Sequence, residues 1–359
     1  MKKIVFLLPG HGKKPIGGHK VVYEYANRFF NCGYEVSIIY GASCLFNKMS
    51  FYGQCYSILR YFYFKLSKKY FPYKWFDLHK GISIKYTWDL NEKYVEGDVV
   101  FATSMETAVS LNTYKKVSNK SKYYLIQDFE YWHWGKEEAL KTWYFDFNRI
   151  VISQWLKDMG DSLQLNTTLI ENGFDFNYFG LDKPIKLRNK FTAIMLYHKL
   201  PSKGSKDGLK AFEIVKSKIP ELKVILFGTS KKPTDLPNWY VYYQLPDKET
   251  LRKIYNEAAM YLGTSHTEGW GLTVGEAMQC GCAVICTDNA GYSIMAKHEK
   301  TALVSTIKNY EDLAFNMIRL IENDKLRFEI ATNGYENIQK FTWENSFQKI
   351  KSLINQNFA

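Results

Sequence analysis

Glu268 and Glu276 stand eight residues apart in the stretch Thr267-Glu268-Gly269-Trp270-Gly271-Leu272-Thr273-Val274-Gly275-Glu276-Ala277-Met278. An ionised carboxylate only accepts hydrogen bonds, so a pair of acids suits the hydroxyls of a sugar or a ribose. Gly269 and Gly271 free the backbone beside the first acid to take φ values that bulkier residues resist. Thr273-Val274-Gly275-Glu276 has the spacing of a helix start, which predicts Thr273 as N-cap and Glu276 at the third helical position. Gly281 is placed to end that helix. A helix N-terminus presents N–H groups that draw phosphate. The stretch therefore predicts one acid on a tight loop, the other on the first turn of a short helix, and a binding place for a sugar nucleotide. A capping box preceded by an unrelated acid would give the same spacing.

Strand-like and helix-like runs alternate nearly throughout, which predicts an α/β architecture with parallel sheets to hold these acids. Residues 4–8 read as the first strand, followed by a loop with Gly10, Gly12, Gly17 and Gly18, a helix over about 19–32 and a strand over 35–40. Gly17-Gly18 ahead of a helix lets backbone N–H groups approach a phosphate closely. A strand at 123–127 ends in Asp128-Phe129-Glu130-Tyr131-Trp132-His133. Ligands of doubly wound sheets bind outside the carboxyl ends of the strands, which puts Asp128, Glu130 and His133 in a binding position. Further on, a strand at 191–197 leads into His198-Lys199-Leu200-Pro201-Ser202-Lys203-Gly204, where Lys203 is a compact ammonium suited to phosphate. Residues 260–263 lead to Ser265-His266-Thr267 and so to the glutamate pair. The polar, lysine-rich stretch 180–190 reads as a linker.

A chain of 359 residues is long for one core, and two domains are expected. Its net charge of +12 favours anionic partners such as nucleotide diphosphates or acidic lipid. Nucleic acid would fit the charge, but no recognition motif accompanies it and none is expected as a partner. Residues 51–76 interleave aromatic side chains with Arg60, Lys65, Lys68, Lys69 and Lys74, without an acid before Asp77. That composition suits contact with an anionic membrane surface, or else a helical insert packing its rings on the first domain. The apolar run after Met1-Lys2-Lys3 is only five residues long before Pro9, too short for a secretory signal, and no stretch is long and apolar enough to span a bilayer. The six cysteines form no CxxC pair and read as small buried side chains. A cytoplasmic location is expected, with peripheral attachment to the inner face of the cell membrane as an option.

The glutamate pair resembles the E-x7-E motif of retaining glycosyltransferases of the GT-B fold, most closely family 4. The string Asn172-Gly173-Phe174-Asp175-Phe176-Asn177-Tyr178-Phe179 is similar to the family's exit from its first domain, and Gly17-Gly18 stands where the family carries a Gly-Gly. Thr103-Ser104-Met105-Glu106-Thr107 and Gln127-Asp128-Phe129-Glu130 resemble bacterial polysaccharide glycosyltransferases, rhamnosyltransferases among them. The resemblance implies two facing doubly wound Rossmann-like domains with a central cleft. An acceptor domain would span 1–178 and a nucleotide-sugar donor domain 179–340, with a helix over 341–359 crossing back to the first.

The family implies roles for these positions. Glu268 would hold the transferred sugar near its anomeric carbon and Glu276 the ribose. Lys203, with His198 or Lys199, would neutralise the diphosphate, with Gly17 and Gly18 presenting N–H groups to it. Ser265, Gly269, Trp270, Gly271, Leu272 and Thr273 would complete the donor site. Asp128 would serve the acceptor hydroxyl, with Glu130 and His133 as competitors, and the anomeric configuration would be retained. The acceptor would be a saccharide or a lipid-linked glycan in surface polysaccharide synthesis. No Asp-x-Asp occurs in the chain, in keeping with GT-B enzymes that use no divalent metal, so neither cofactor nor metal is expected. Two departures stand out: His198 replaces an arginine usual in the family, and Tyr292 and Met295 stand where a Gly-Gly and a glutamate are common. Other GT-B chemistries, nucleotide-sugar epimerases and phosphorylases, fit the same motifs. A non-catalytic basic scaffold binding membrane or nucleic acid is the non-enzyme alternative.

Overall fold

A computed structural model describes residues 2–44, 49–131 and 134–356. The chain divides into two compact units, Met1–Asn172 with Glu344–Ala359, and Gly173–Trp343. In the first unit the described elements are β1 (Lys3–Pro9), α1 (Gly17–Asn31), β2 (Glu35–Gly41), α2 (Phe51–Ser67), β3 (Ser83–Thr87), β4 (Val99–Ala102), α3 (Met105–Asn112), β5 (Lys122–Ile126), α4 (Lys136–Trp143), β6 (Asn148–Val151), α5 (Gln154–Ser162) and β7 (Thr167–Leu169). The second contributes β8 (Thr192–Leu196), α6 (Ser205–Lys218), β9 (Lys223–Gly228), β10 (Tyr240–Gln244), α7 (Lys248–Glu257), β11 (Met260–Gly263), α8 (Leu272–Gln279), β12 (Ala283–Thr287), β13 (Leu303–Ser305), α9 (Tyr310–Glu322) and α10 (Asp324–Ile338). The last helix, α11 (Trp343–Gln356), returns to the first unit from Glu344 onward.

Among the described residues the first sheet has seven strands in the order β3-β2-β1-β4-β5-β6-β7, and the second has six in the order β10-β9-β8-β11-β12-β13. Every pairing is parallel. Strands covered on both faces must be apolar on both, and Ile4, Val5, Phe6, Leu7 and Leu8 are accordingly buried without alternation. The chain reverses its order of addition at β1–β4 in one sheet and at β8–β11 in the other. Such a switch point leaves a crevice beyond the strand ends, where ligands bind. The α/β class expected from the alternation of elements, with the two doubly wound Rossmann-like domains that the resemblance implies, is what the chain forms.

Residues 180–190, expected as a linker, are tied by hydrogen bonds to the end of α7. The Asn256 side-chain oxygen accepts from the backbone N–H groups of Asp182 and Lys183 at 2.8 and 3.1 Å, and the guanidinium of the buried Arg188 donates to the carbonyls of Tyr255 and Ala258 at 3.3 and 3.0 Å. Asn256 of α7 thus satisfies backbone of this segment and Arg188 satisfies backbone at the end of α7, which a composition count cannot reveal.

Candidate functional site

The second unit brings two distant motifs together at its switch point. Lys203 follows β8 and Glu268 follows β11; the Lys203 ammonium donates to Glu268 Oε1 at 2.8 Å. The Ser265 hydroxyl donates to the same oxygen at 2.8 Å. Ser265 is itself fixed through its carbonyl, which accepts from the Thr287 hydroxyl and from Asn289 Nδ2, the latter at 2.9 Å. The two loops are laced by His266 N donating to the Ser202 carbonyl at 2.7 Å and the Thr264 hydroxyl donating to the Lys203 carbonyl at 2.8 Å. Both Lys203 and Glu268 keep part of their side chains open to solvent, 27% and 18%. An ion pair partly open to solvent contributes little to stability.

Glycine is required where the loop turns. Gly204 has φ +62°, and a Cβ there would lie 1.9 Å from the Thr264 carbonyl oxygen. Gly271, at φ +87°, is the N-cap of α8. The helix thus starts two residues earlier than the capping-box spacing predicts. Thr273 is a helical residue whose hydroxyl accepts from Tyr261 at 2.8 Å, and Glu276 lies in the second turn, not the first. The hydroxyl counted on as a cap is captured by the tyrosine beneath the loop. Gly281, at φ +77°, ends the helix as expected, its N–H donating to the Met278 carbonyl at 2.9 Å.

Glu276 is buried beside Tyr255, whose hydroxyl stands 3.5 Å from its Oε2. Leu272 is partly exposed on the first turn of α8, and Gly269 is buried. The Trp270 ring is buried, 6.2 Å from that of Phe174 and 5.4 Å from that of Phe341, so it anchors the loop from below. Lys199 is exposed, and His198 holds its turn together by accepting from Leu200 N at 3.1 Å. Burial, and then the neighbouring Lys203 charge, hold the His198 imidazole below its usual range. At neutral pH it therefore offers a hydrogen bond and not a second positive charge. The sequence signal missed here is the pair His266–Asp207, whose Nε2 and Oδ2 are 2.7 Å apart. An acid just inside a helix after Lys-Gly, and a histidine two residues before the first glutamate, were the available clues.

In the first unit Gly17 and Gly18 open α1 itself, with Ile16 as N-cap, so their N–H groups are among those of the first turn that lack an intrahelical acceptor. Gln127 Nε2 donates to the Gly18 carbonyl at 3.3 Å, joining this turn to the end of β5. Asp128 Oδ1 accepts from Phe129 N at 2.8 Å. Glu130 Oε2 accepts from Met105 N at 2.7 Å, at the start of α3. His133 lies outside the described residues.

Burial first, then the carboxylates of Glu106 and Asp128, push Glu130 up to about 8, against the pull of the Met105 N–H. Unfolding would return this carboxyl to its ordinary range, so between about pH 4.5 and about pH 8 the folded state holds a proton that the unfolded state has lost. Stability from this group falls as pH rises through that window. Glu130→Gln keeps the acceptor and removes the titration, so the variant should gain stability relative to wild type as pH rises from about 5 to about 9, by on the order of a few kcal/mol, read as a relative rise in its melting temperature. Parallel melting profiles for the two proteins would show that Glu130 is not held neutral.

The two doubly wound sheets define the class: the chain has the fold of GT-B glycosyltransferases, and the solved Anabaena HepE in complex with UDP-glucose superposes with a TM-score of 0.74 over 99% of this chain and 100% of that one, at 18% identity. Residues 182–337, most of the second unit, match the family Glycosyl transferases group 1. The poly(glycerol-phosphate) alpha-glucosyltransferase of Bacillus subtilis is 25% identical over 51% of this chain and 29% of its own length. The capsular polysaccharide biosynthesis glycosyltransferase CapM of Staphylococcus aureus is 24% identical over 51% of this chain and 53% of its own length. The chain thus spans about half or less of these curated relatives.

Proposed function

We propose that the protein transfers a sugar from a nucleotide-diphosphate donor to a hydroxyl of a saccharide or lipid-linked glycan, with retention, in the synthesis of a surface polysaccharide. The observation that carries this is the Lys203–Glu268 contact at the carboxyl ends of β8 and β11, beside the N-terminus of α8. The ammonium and the helix dipole are suited to the leaving diphosphate, and stabilising that developing charge is the strongest catalytic effect such a site can exert. Glu268 is assigned to the transferred sugar, Glu276 to the ribose and Asp128 to the acceptor hydroxyl. The Gly17 and Gly18 N–H groups are assigned to the diphosphate. The two relatives are named for work on polymers, a poly(glycerol-phosphate) and a capsular polysaccharide, which supports a glycan as acceptor. UDP sugars are the first donors to try, since HepE was solved with one.

The test is a thermal-shift panel of UDP, GDP, dTDP and ADP, followed by product analysis with the matching nucleotide sugar. One nucleotide should stabilise the protein by about 2.7 kcal/mol at a hundredfold excess over its Kd. Free nucleoside diphosphate should then appear only when an acceptor glycan is added. Failure of all four nucleotides to shift the melt would leave a scaffold; nucleotide release coupled to epimerisation, or to phosphate in place of a glycan, would assign another chemistry.

A further inference from the structure

The helix α2 turns an apolar face to solvent. Tyr52, Tyr56, Leu59, Tyr63 and Leu66 recur at alternating steps of four and three and are 85%, 66%, 71%, 51% and 83% exposed. That spacing places them in one stripe along the helix. Phe51 and Phe62, 74% and 55% exposed, widen it. The opposite side of the helix is anchored: Tyr61 and Phe64 are buried, with the Tyr61 ring 5.3 Å from that of Tyr86 and the Phe64 ring 4.6 Å from that of His11. An anchored helix with so large an exposed apolar face marks an interaction surface.

The charges around the stripe select its partner. Residues 51–76 contain Arg60, Lys65, Lys68, Lys69 and Lys74 and no acid. Lys13 and Lys14 stand exposed in the β1–α1 loop, with the Lys13 ammonium 5.4 Å from the Phe64 ring. Lys69 lies over the Tyr63 ring at 4.7 Å, so its charge borders the stripe. A second copy of α2 laid against this face would bring two cationic borders together with no carboxylate between them. An anionic bilayer offers the opposite: headgroups for the lysines, and an interfacial layer in which tyrosine rings are favoured. The stripe is suited to lying flat, and among the described residues no helix is long and apolar enough to cross a membrane.

We propose that α2 docks the protein on an anionic lipid surface, with its exposed stripe in the interface and the flanking lysines on the headgroups. Docking here brings the lipid to the carboxyl edge of the first sheet: Trp75 Nε1 donates to the Gly12 carbonyl at 2.6 Å and Gly12 N to the Tyr70 carbonyl at 2.9 Å, tying the segment that follows α2 to the loop before α1. The proposal does not depend on the donor site in the second unit.

The experiment is co-sedimentation of the whole chain with vesicles of phosphatidylcholine alone or of phosphatidylglycerol, at low and high salt. Wild type should pellet with phosphatidylglycerol at low salt and stay soluble with phosphatidylcholine. The triple variant Tyr52→Ser, Leu59→Ser, Leu66→Ser should lose on the order of a hundredfold in partitioning, with an unchanged melting temperature because these side chains are exposed. Lys68→Gln and Lys69→Gln should each cost about fivefold, and they give an independent readout should the triple variant misfold. Absence of wild-type pelleting overturns the proposal, as does equal pelleting with both lipids. So does a wild-type dimer that ignores vesicles and that the triple variant splits. Nucleotide-induced thermal shifts should be untouched in all variants, which separates failure of this proposal from failure of the donor site.

Discussion

Lys203→Ala should lower the rate of sugar transfer by about a hundred- to a thousandfold, the usual cost of deleting one preorganised donor aimed at developing charge. The ammonium is held 2.8 Å from Glu268 Oε1 by a loop whose Ser202 and Lys203 carbonyls accept from the residues that follow β11. It therefore needs no reorganisation when a leaving diphosphate accumulates charge. Glu268→Ala should cost a comparable factor by removing the partner of both Lys203 and Ser265. Because the two side chains share one contact, the double variant should lose less than the product of the single losses. Single-turnover transfer at saturating donor measures the chemical step. Near-normal rates in both single variants would reject this site.

Gly204→Ala should destabilise the second unit by about 3 kcal/mol or more. The residue combines φ +62° with a Cβ position 1.9 Å from the Thr264 carbonyl oxygen, a clash with backbone that no rotamer relieves. The β8–α6 and β11–α8 loops would have to part, carrying Lys203 away from Glu268. Gly33 is the control: its φ is +82°, but nothing lies within 4 Å of a Cβ there, so Gly33→Ala should cost only roughly 1–2 kcal/mol of backbone strain. Scanning calorimetry on the three proteins compares the costs. Equal losses at the two glycines would mean that the loops are not clamped as described.

Much of this was legible in the chain, and the reasons differ by residue. The strands could be read because a parallel strand covered on both faces must be apolar throughout, as residues 4–8 are. Lys203 and Glu268 could be paired only through the family resemblance, since nothing in local spacing joins residues so far apart in the chain. The start of α8 differs from the expectation because the cap rule counts only neighbours along the chain, whereas Tyr261 of β11 donates to the Thr273 hydroxyl. Trp270 entered the donor site through the resemblance alone; the burial of its ring beside those of Phe174 and Phe341 depends on residues far away in the chain. Arg188 does not stand out in a polar, lysine-rich stretch that reads as a linker, although its partners are carbonyls at the end of α7. In each case the deciding partner is remote in sequence.

The last helix has a consequence for how the molecule comes into being. The second unit is continuous in the chain, whereas the first is assembled from two pieces, Met1–Asn172 and Glu344–Ala359. The late piece is not ornamental: the Phe347 ring lies 5.0 Å from that of Phe29, the Ser346 hydroxyl donates to the Glu171 carbonyl at 2.5 Å, and Lys349 pairs with the Glu171 carboxylate at 2.8 Å. During synthesis Met1–Asn172 emerge before Glu344–Ala359, so the Phe347 contact on Phe29 and the two bonds to Glu171 form only after the second unit has been made. A nascent chain halted before residue 344 would hold all the segments of the second unit but lack the helix that completes the first.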